Sequence, residues 1–209
     1  MINGFDCYGP QTLIKYQQFK KKGYTFVGRY YAESGSPKLL TRQDAENISK
    51  AGLQIVAVFE TNPTNPGYFT YDKGKSDLLE AVARAIEVKQ PIGTAIYFTV
   101  DFDAMAGEFP MIGNYFKGIC DEMENFTLND KSKRNWKIGV YGSFSVVYYV
   151  SHNVRKVEYI WQTYAWSKGK IVPNYNIYQY SNDKSELGIN IDHDRKNSTR
   201  STGVGGFKV

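Results

Sequence analysis

Short apolar runs alternate with longer amphipathic segments along most of the chain. Residues 53–60 are apolar on both faces, which is typical of a strand buried between a barrel interior and a layer of helices. Residues 75–89 repeat apolar positions at helical spacing. The face expected to point inward carries Leu78, Leu79, Val82, Ala85 and Ile86. This alternation predicts an α/β fold assembled from strand–helix units.

The whole pattern predicts eight strands and five helices. The strands are predicted at residues 3–7, 25–31, 53–60, 94–100, 137–141, 159–164, 176–180 and 188–192. The helices are predicted at residues 11–22, 41–51, 75–89, 110–126 and 144–151. Little helix separates the last three strands. We therefore predict a (β/α)8 TIM-like barrel with short or missing last helices and right-handed parallel connections.

An open, doubly wound sheet is the alternative arrangement of these elements. It is disfavoured because no Gly-x-Gly-x-x-Gly follows the first strand and no phosphate-binding loop occurs. The 209 residues suffice for one domain with a sizeable core, at the short end for an eight-stranded α/β barrel. We predict a barrel domain at residues 1–195. The Ser-, Thr- and Gly-rich residues 196–209 predict a flexible tail or the start of a linker.

The net charge of +5 is concentrated at the carboxyl end of the chain. Four basic residues and no acidic residue follow Asp194, so the rest of the chain has a net charge of +5 − 4 = +1. Nothing resembles a polybasic helix, an RNP motif or a zinc finger. No apolar run reaches membrane-spanning length, and the first residues lack the features of a classical signal peptide. We expect a monomer with no nucleic-acid partner and no membrane insertion.

Acidic residues stand at the ends of several predicted strands. These residues are Asp6, Glu60, Asp101, Asp103 and Asp192. The carboxyl ends of parallel barrel strands meet on one rim, where such barrels build their active sites. Side-chain alternation supports convergence, because Thr99, Asp101 and Asp103 share one side of residues 96–103. We therefore expect the five carboxyl groups to gather around one hollow.

Clustered carboxyl groups are suited to glycoside hydrolysis, in which one acid protonates the leaving oxygen and a second carboxylate stabilises the reacting centre. A divalent metal site is the rival interpretation, because Asp101-x-Asp103 and Asp192-x-Asp194 offer oxygen ligands. The two histidines, His152 and His193, are far apart in the sequence and neither belongs to a zinc-binding motif, so no zinc site is indicated. We predict no metal ion and no cofactor.

Seven segments in chain order carry a family resemblance. They are GFDCY (4–8), VGRYY (27–31), IVAVFE (55–60), IYFTVDFD (96–103), GVYGS (139–143), WQTYAWS (161–167) and YQY (178–180). Together they resemble the bacterial glycoside-hydrolase-like family formerly called domain of unknown function 1906. That family is similar to the family 25 lysozymes, which are muramidases that cleave peptidoglycan on a (β/α)8-like barrel.

The resemblance implies roles for the acidic residues. Asp6 matches the acid that closes the first strand of the muramidases, and Asp192 matches their last-strand acid. Asp101 and Asp103 match an Asp-x-Glu pair, so Asp103 stands where the muramidases have the glutamate proposed as general acid. The shorter side chain reduces the reach of the proton donor by about 1.5 Å, against a proton-transfer distance of about 2.6–3.2 Å. Glu60 is the expected substitute.

The sequence thus leads to a functional expectation. Asp103 or Glu60 would donate the proton, and Asp101 would stabilise the cationic centre or orient an acetamido group, which itself could assist the reaction. Asp6 and Asp192 would tune pKa values and position. Candidate sugar contacts are Arg29, Tyr31, Tyr141, Gln162, Trp166 and Gln179. The expected function is hydrolysis of amino-sugar polymers, above all peptidoglycan, at the bacterial cell wall; the alternative is a weak or inactive barrel that binds wall glycans.

Overall fold

Eight strands close into a barrel in chain order in the computed structural model, which describes residues 3–209. The strands are β1 (Asn3–Asp6), β2 (Tyr24–Tyr31), β3 (Gln54–Phe59), β4 (Ala95–Thr99), β5 (Lys137–Gly142), β6 (Val157–Thr163), β7 (Ile177–Glu186) and β8 (Ile189–Lys196). The helices are α1 (Leu13–Lys21), α2 (Arg42–Lys50), α3 (Tyr71–Glu87), α4 (Phe109–Asn129) and α5 (Phe144–Asn153). One α-helix follows each of β1 to β5, and within residues 3–209 no helix follows β6 or β7. The predicted TIM-like barrel without its last helices is confirmed.

Hydroxyl side chains determine where four of the helices begin. Thr12, Thr41, Thr70 and Ser143 each accept a hydrogen bond from the backbone N–H three residues further on. These side chains satisfy donors that the first helical turn leaves unpaired. The inward face of α3 is narrower than predicted, because Leu79 and Ile86 are exposed. No helix in the described part of the chain is long and apolar enough to cross a bilayer.

The last strand reverses direction. Strand β8 is antiparallel to both β7 and β1, whereas the pairs from β1 to β7 are parallel. The prediction of parallel connections is therefore wrong for β8. Only Leu187 and Gly188 join it to β7, and both have left-handed φ angles, of 51° and 76°. Two such residues form a hairpin turn, whereas a parallel connection needs a dozen residues or more.

This reversal sets the depth of the acidic residues on β8. Asp192 pairs with Asp6 at the carboxyl-terminal mouth of the barrel, and Asp194 pairs with Gly4 one inward position deeper. Asp192 therefore lies within a strand that descends from the mouth, and it does not close a strand as the other rim acids do. The Asp192 side chain nevertheless points into the barrel, as predicted, because the alternation of side chains along a strand does not depend on strand direction.

The carboxyl-terminal segment closes the opposite end of the barrel. Val204 and Phe207 are buried, and the backbone of Phe207 exchanges two hydrogen bonds with Ile55, of 2.8 and 2.9 Å. The hydroxyl of Tyr97, inside the barrel, donates to the carbonyl of Val204 at 3.0 Å. The expectation of a flexible tail at residues 196–209 is thus corrected. The glycines there allow close approach: Gly205 has a φ of 69° and no room for a Cβ.

Replacing Val204 with Ala is expected to lower the free energy of unfolding by about 2 kcal/mol, because two buried methyl groups are lost and a cavity remains. Urea denaturation of the full chain measures the change. Lys208→Ala, at an exposed side chain of the same segment, is the matched control and is expected to be silent. Equal stability of the two variants would show that the segment does not contribute to the barrel core in solution.

Candidate active site

A cavity of about 160 Å³ opens at the carboxyl-terminal mouth of the barrel. It is lined by Asp6, Tyr30, Val58, Glu60, Thr99, Asp101, Tyr141, Trp161, Gln179 and Asp192. Larger grooves, of about 630 and 600 Å³, lie outside the barrel along α4. We place the site in the smaller cavity because it gathers four carboxyl groups where parallel barrels carry their chemistry.

A glutamine holds two of these carboxyl groups together on the floor. Gln179 Nε2 donates to Asp6 Oδ2 at 3.0 Å and to Asp192 Oδ2 at 3.2 Å. Gln179 Oε1 accepts from the Tyr141 hydroxyl at 3.0 Å, which fixes the orientation of the amide. The Tyr30 hydroxyl donates to Asp6 Oδ1 at 2.9 Å. Both carboxyl oxygens of Asp6 therefore accept hydrogen bonds from uncharged groups.

A third carboxyl group, Asp194, lies fully buried beneath Asp6. Trp161 Nε1 donates to Asp194 Oδ1 at 2.9 Å, whereas Asp194 Oδ2 has no hydrogen-bond partner among the described residues. Burial, followed by the charge of Asp6, raises the pKa of Asp194 well above its usual range. Burial and the charge of Asp192 raise the pKa of Asp6 to about 7. Burial therefore favours the uncharged form of Asp194.

Asp101 and Glu60 lie nearer the entrance and differ in their partners. Glu60 forms an ion pair with Lys38, whose ammonium lies 5.3 Å from the ring centroid of Tyr30. The pKa of Asp101 is raised to about 6, first by burial and then by the charges of Glu60 and Asp192. No described residue donates a hydrogen bond to its carboxyl group. Asp101 is therefore the cavity acid that remains free to meet a ligand.

Three predicted sugar contacts are wrong because they lie on the other side of the sheet. Arg29 and Tyr31 flank the inward Tyr30 and so point outward, where Arg29 pairs with Asp44 at 2.9 Å. The Tyr31 hydroxyl donates a hydrogen bond to Oε1 of Gln90, which is buried outside the barrel. Gln162 also points outward: its Nε2 donates to the carbonyl of Lys170 and its Oε1 accepts from the Val172 N–H. Tyr141 and Gln179 do line the cavity, as predicted.

Two further predicted residues lie outside the cavity lining. Strand β4 ends at Thr99, so alternation no longer fixes the direction of Asp103, whose side chain is exposed. Trp166 is 40% exposed and has a φ of 52° in the turn after β6. Asp6, Glu60, Asp101 and Asp192 are brought together as predicted.

The sequence interpretation missed other residues of this site. Tyr30, Thr99 and Trp161 line the cavity, and Asp194 lies beneath it. Strand parity, which already placed Thr99 on the side of Asp101, would also have found Tyr30 and Trp161, and the Asp-x-Asp spacing had marked Asp194 only as a possible metal ligand. Lys38 comes from the loop after β2, and nothing in the sequence marks it. Among residues 3–209, no three His, Cys, Asp or Glu side chains are grouped so that they could hold a metal ion.

Three known proteins are similar to this chain. FadG of Bacillus subtilis is 32% identical over 144 residues, which are 67% of this chain but only 24% of FadG. The Tat-secreted protein Rv2525c of Mycobacterium tuberculosis, solved with HEPES, has a TM-score of 0.79 at 16% identity over 98% of both chains. The autolysin LytC of Streptococcus pneumoniae, solved with a synthetic peptidoglycan ligand, has a TM-score of 0.63 at 13% identity, over 92% of this chain and 46% of LytC.

The two structural likenesses show a shared barrel fold, and the chain spans about a quarter of the length of FadG. The family description "Rv2525c-like, glycoside hydrolase-like domain" matches residues 17–196, which include every strand from β2 to β8. This chain belongs to the Rv2525c-like family of glycoside hydrolase-like domains.

Proposed function

We propose that this chain is a glycosidase that cleaves an amino-sugar polymer of the bacterial cell wall, with peptidoglycan as the candidate substrate. Family membership supports the reaction class, and the similarity to an autolysin solved with a peptidoglycan ligand supports the substrate. The cavity supports the chemistry, because glycoside hydrolysis needs one protonated and one ionised carboxyl group at the scissile bond.

The position of Asp101 is the observation that carries the proposal, because its carboxyl group lines the cavity and accepts no hydrogen bond from a described residue. A carboxyl group with a pKa raised to about 6 and no hydrogen-bond donor on it can keep and deliver a proton near neutral pH. Glu60 is already engaged in an ion pair with Lys38. Asp103 lies outside the cavity lining. We therefore assign the proton donor to Asp101, in place of the two residues expected from the sequence.

The reaction then runs between Asp101 and the floor of the cavity. Asp101 gives its proton to the glycosidic oxygen as the bond to the anomeric carbon breaks and its electron pair passes to that oxygen. The negative charge shared by Asp6 and Asp192 stabilises the cation-like centre. Water adds to the anomeric carbon, and its proton returns to Asp101. Gln179 keeps the two floor carboxyl groups in position.

Release of reducing ends from purified peptidoglycan tests this function. The full chain is expected to generate new reducing ends, and the double variant Asp6→Asn/Asp101→Asn is expected to generate none above background. Asp103→Asn is the matched control and should retain wild-type activity, because its side chain is exposed outside the cavity. Wild-type protein that releases no more reducing ends than the double variant would contradict the proposed activity.

Binding of wall glycans without cleavage is the second candidate function. It is favoured by one observation: the position that matches the muramidase glutamate carries Asp103, whose exposed side chain is not part of the cavity lining. Co-sedimentation with insoluble peptidoglycan, measured beside the reducing-end assay, separates the two functions. Sedimentation with no new reducing ends supports a binding module, whereas new reducing ends support the enzyme.

A further inference from the structure

We propose that the cavity takes the ammonium group of a de-N-acetylated amino sugar, so that the preferred substrate is a stretch of wall polymer containing free glucosamine units. This inference rests on the proposed function and names the substrate class for the same site. It comes from an unpartnered buried hydroxyl, from the charge of the cavity lining and from an ammonium group that the protein itself places at the entrance.

The unpartnered hydroxyl belongs to Thr99. This side chain lines the cavity, is only 4% exposed, and finds no hydrogen-bond partner for Oγ1 among the described residues. A buried polar atom without a partner is unfavourable, so a ligand that hydrogen-bonds to this hydroxyl would gain from doing so. Thr99 also shares the inward side of the chain with Asp101. An ammonium offers three donors, enough to reach the hydroxyl and carboxyl groups together, whereas an acetamido group offers one N–H.

The cavity lining is acidic and contains no basic residue. Of its four carboxyl groups, only Glu60 forms an ion pair within residues 3–209, and its partner Lys38 lies outside the lining. Asp6, Asp101 and Asp192 have neutral hydrogen-bond partners or none. Burial, and after it the charge of neighbouring carboxylates including Asp192, raises the pKa of Asp6 and of Asp101, and a bound cation would offset that repulsion. An anionic substituent would be repelled.

Lys38 shows that this entrance accommodates a primary ammonium on a carbon chain. Its Nζ contacts the carboxyl group of Glu60 and lies 5.3 Å from the ring centroid of Tyr30. Its charge is also one of the influences that lower the pKa of Asp101. A glucosamine ammonium has the same chemistry and can use the three carboxyl groups that Lys38 leaves without a cation.

The number of carboxyl groups also fits a cationic substrate. Two carboxyl groups suffice for ordinary glycoside hydrolysis. A substrate that carries an ammonium beside the developing positive charge needs more negative charge than that, and it has no acetamido oxygen to act as nucleophile. Asp6 and Asp192 can supply this additional charge at the floor.

Binding of two matched oligosaccharides to the full chain tests the inference. By calorimetry at pH 6.5, a β-1,4-glucosamine tetramer is expected to bind about tenfold more tightly than the N-acetylglucosamine tetramer. Thr99→Val, which keeps the shape but removes the hydroxyl, should abolish most of this preference. Thr99→Ser should preserve it, and so should Asp103→Asn. The net charge of +5 works against non-specific attraction of the cationic tetramer.

The possible outcomes test the cation site and the glycosidase activity separately. Equal or tighter binding of the N-acetylated tetramer overturns the inference, as does an unchanged preference in Thr99→Val. Release of reducing ends from fully N-acetylated peptidoglycan, at the same rate as from de-N-acetylated peptidoglycan, also overturns it but leaves the proposed glycosidase standing. A preference for the glucosamine tetramer without cleavage of either polymer supports the cation site and overturns the glycosidase.

Discussion

Asp44→Ala is expected to lower the free energy of unfolding by about 3–5 kcal/mol, which is one of the largest effects of any single substitution in this barrel. The Asp44 side chain is 2% exposed and accepts from Arg29 Nε at 2.9 Å and from the Tyr16 hydroxyl at 2.8 Å. Arg29 is 0% exposed. Removing the carboxylate therefore leaves a guanidinium buried without its countercharge, which costs far more than a surface pair would.

Equilibrium unfolding in urea measures this loss. Glu46→Ala is the matched control on the same helix, because Glu46 pairs with Arg42 at the surface and is expected to contribute only about 0.5 kcal/mol. The loss of unfolding free energy in Asp44→Asn should lie between the losses in these two variants, since the amide keeps one hydrogen-bond acceptor but carries no charge. If Asp44→Ala and Glu46→Ala were equally stable, the Arg29–Asp44 pair would not be a structural requirement of the barrel.

The same ion pair supports the barrel mouth that carries the candidate site. Arg29 Nη1 donates to the carbonyl of Cys7 at 2.7 Å, immediately after Asp6. The guanidinium thus anchors the chain where it leaves β1, and Asp44 holds the guanidinium. Arg29 was expected to touch sugar, but it acts on the site from behind the sheet by positioning the backbone.

Strand parity explains which features of the site could be predicted from the sequence. The alternation that places Asp6 and Thr99 inside the barrel follows from the pleat and does not depend on neighbouring elements. The same rule, applied to β2, places Tyr30 inside and therefore Arg29 and Tyr31 outside. The family resemblance marked the whole VGRYY segment without separating its two faces, which is why two of its residues were misassigned.

Other features depend on tertiary packing that local patterns do not encode. Alternation stops where a strand stops, so the direction of Asp103 was not determined by that of Asp101. The loop after β2 brings Lys38 to Glu60 through its path over the barrel mouth, and no periodicity specifies such a path. The glycine-rich carboxyl end resembles a linker in composition, yet its glycines allow the backbone to pack against the barrel at Gly205.

Asp101→Asn is expected to reduce kcat/KM for peptidoglycan by about 100-fold or more, because a positioned general acid contributes about 10²–10⁴ to the rate. Asparagine keeps the size of the side chain and cannot deliver the proton. Reducing-end release gives the rate, and the unfolding free energy of the same variant should not fall, since the carboxyl group forms no hydrogen bond with described residues. Retention of more than a tenth of wild-type activity would assign the proton donor elsewhere.

The pH dependence of a second variant tests the same role independently. The acid form of Asp101 disappears as pH rises through about 6, so activity must fall on the alkaline side. Glu60→Gln removes a negative charge that raises the pKa of Asp101, and it frees Lys38, whose charge lowers that pKa. Both changes lower the pKa of Asp101. The activity of Glu60→Gln relative to wild type should therefore decrease steadily from pH about 5 to pH about 7. Because both proteins share the titration of Asp6, Asp192 and Asp194, the ratio isolates Asp101, and a ratio independent of pH would contradict its role as the proton donor.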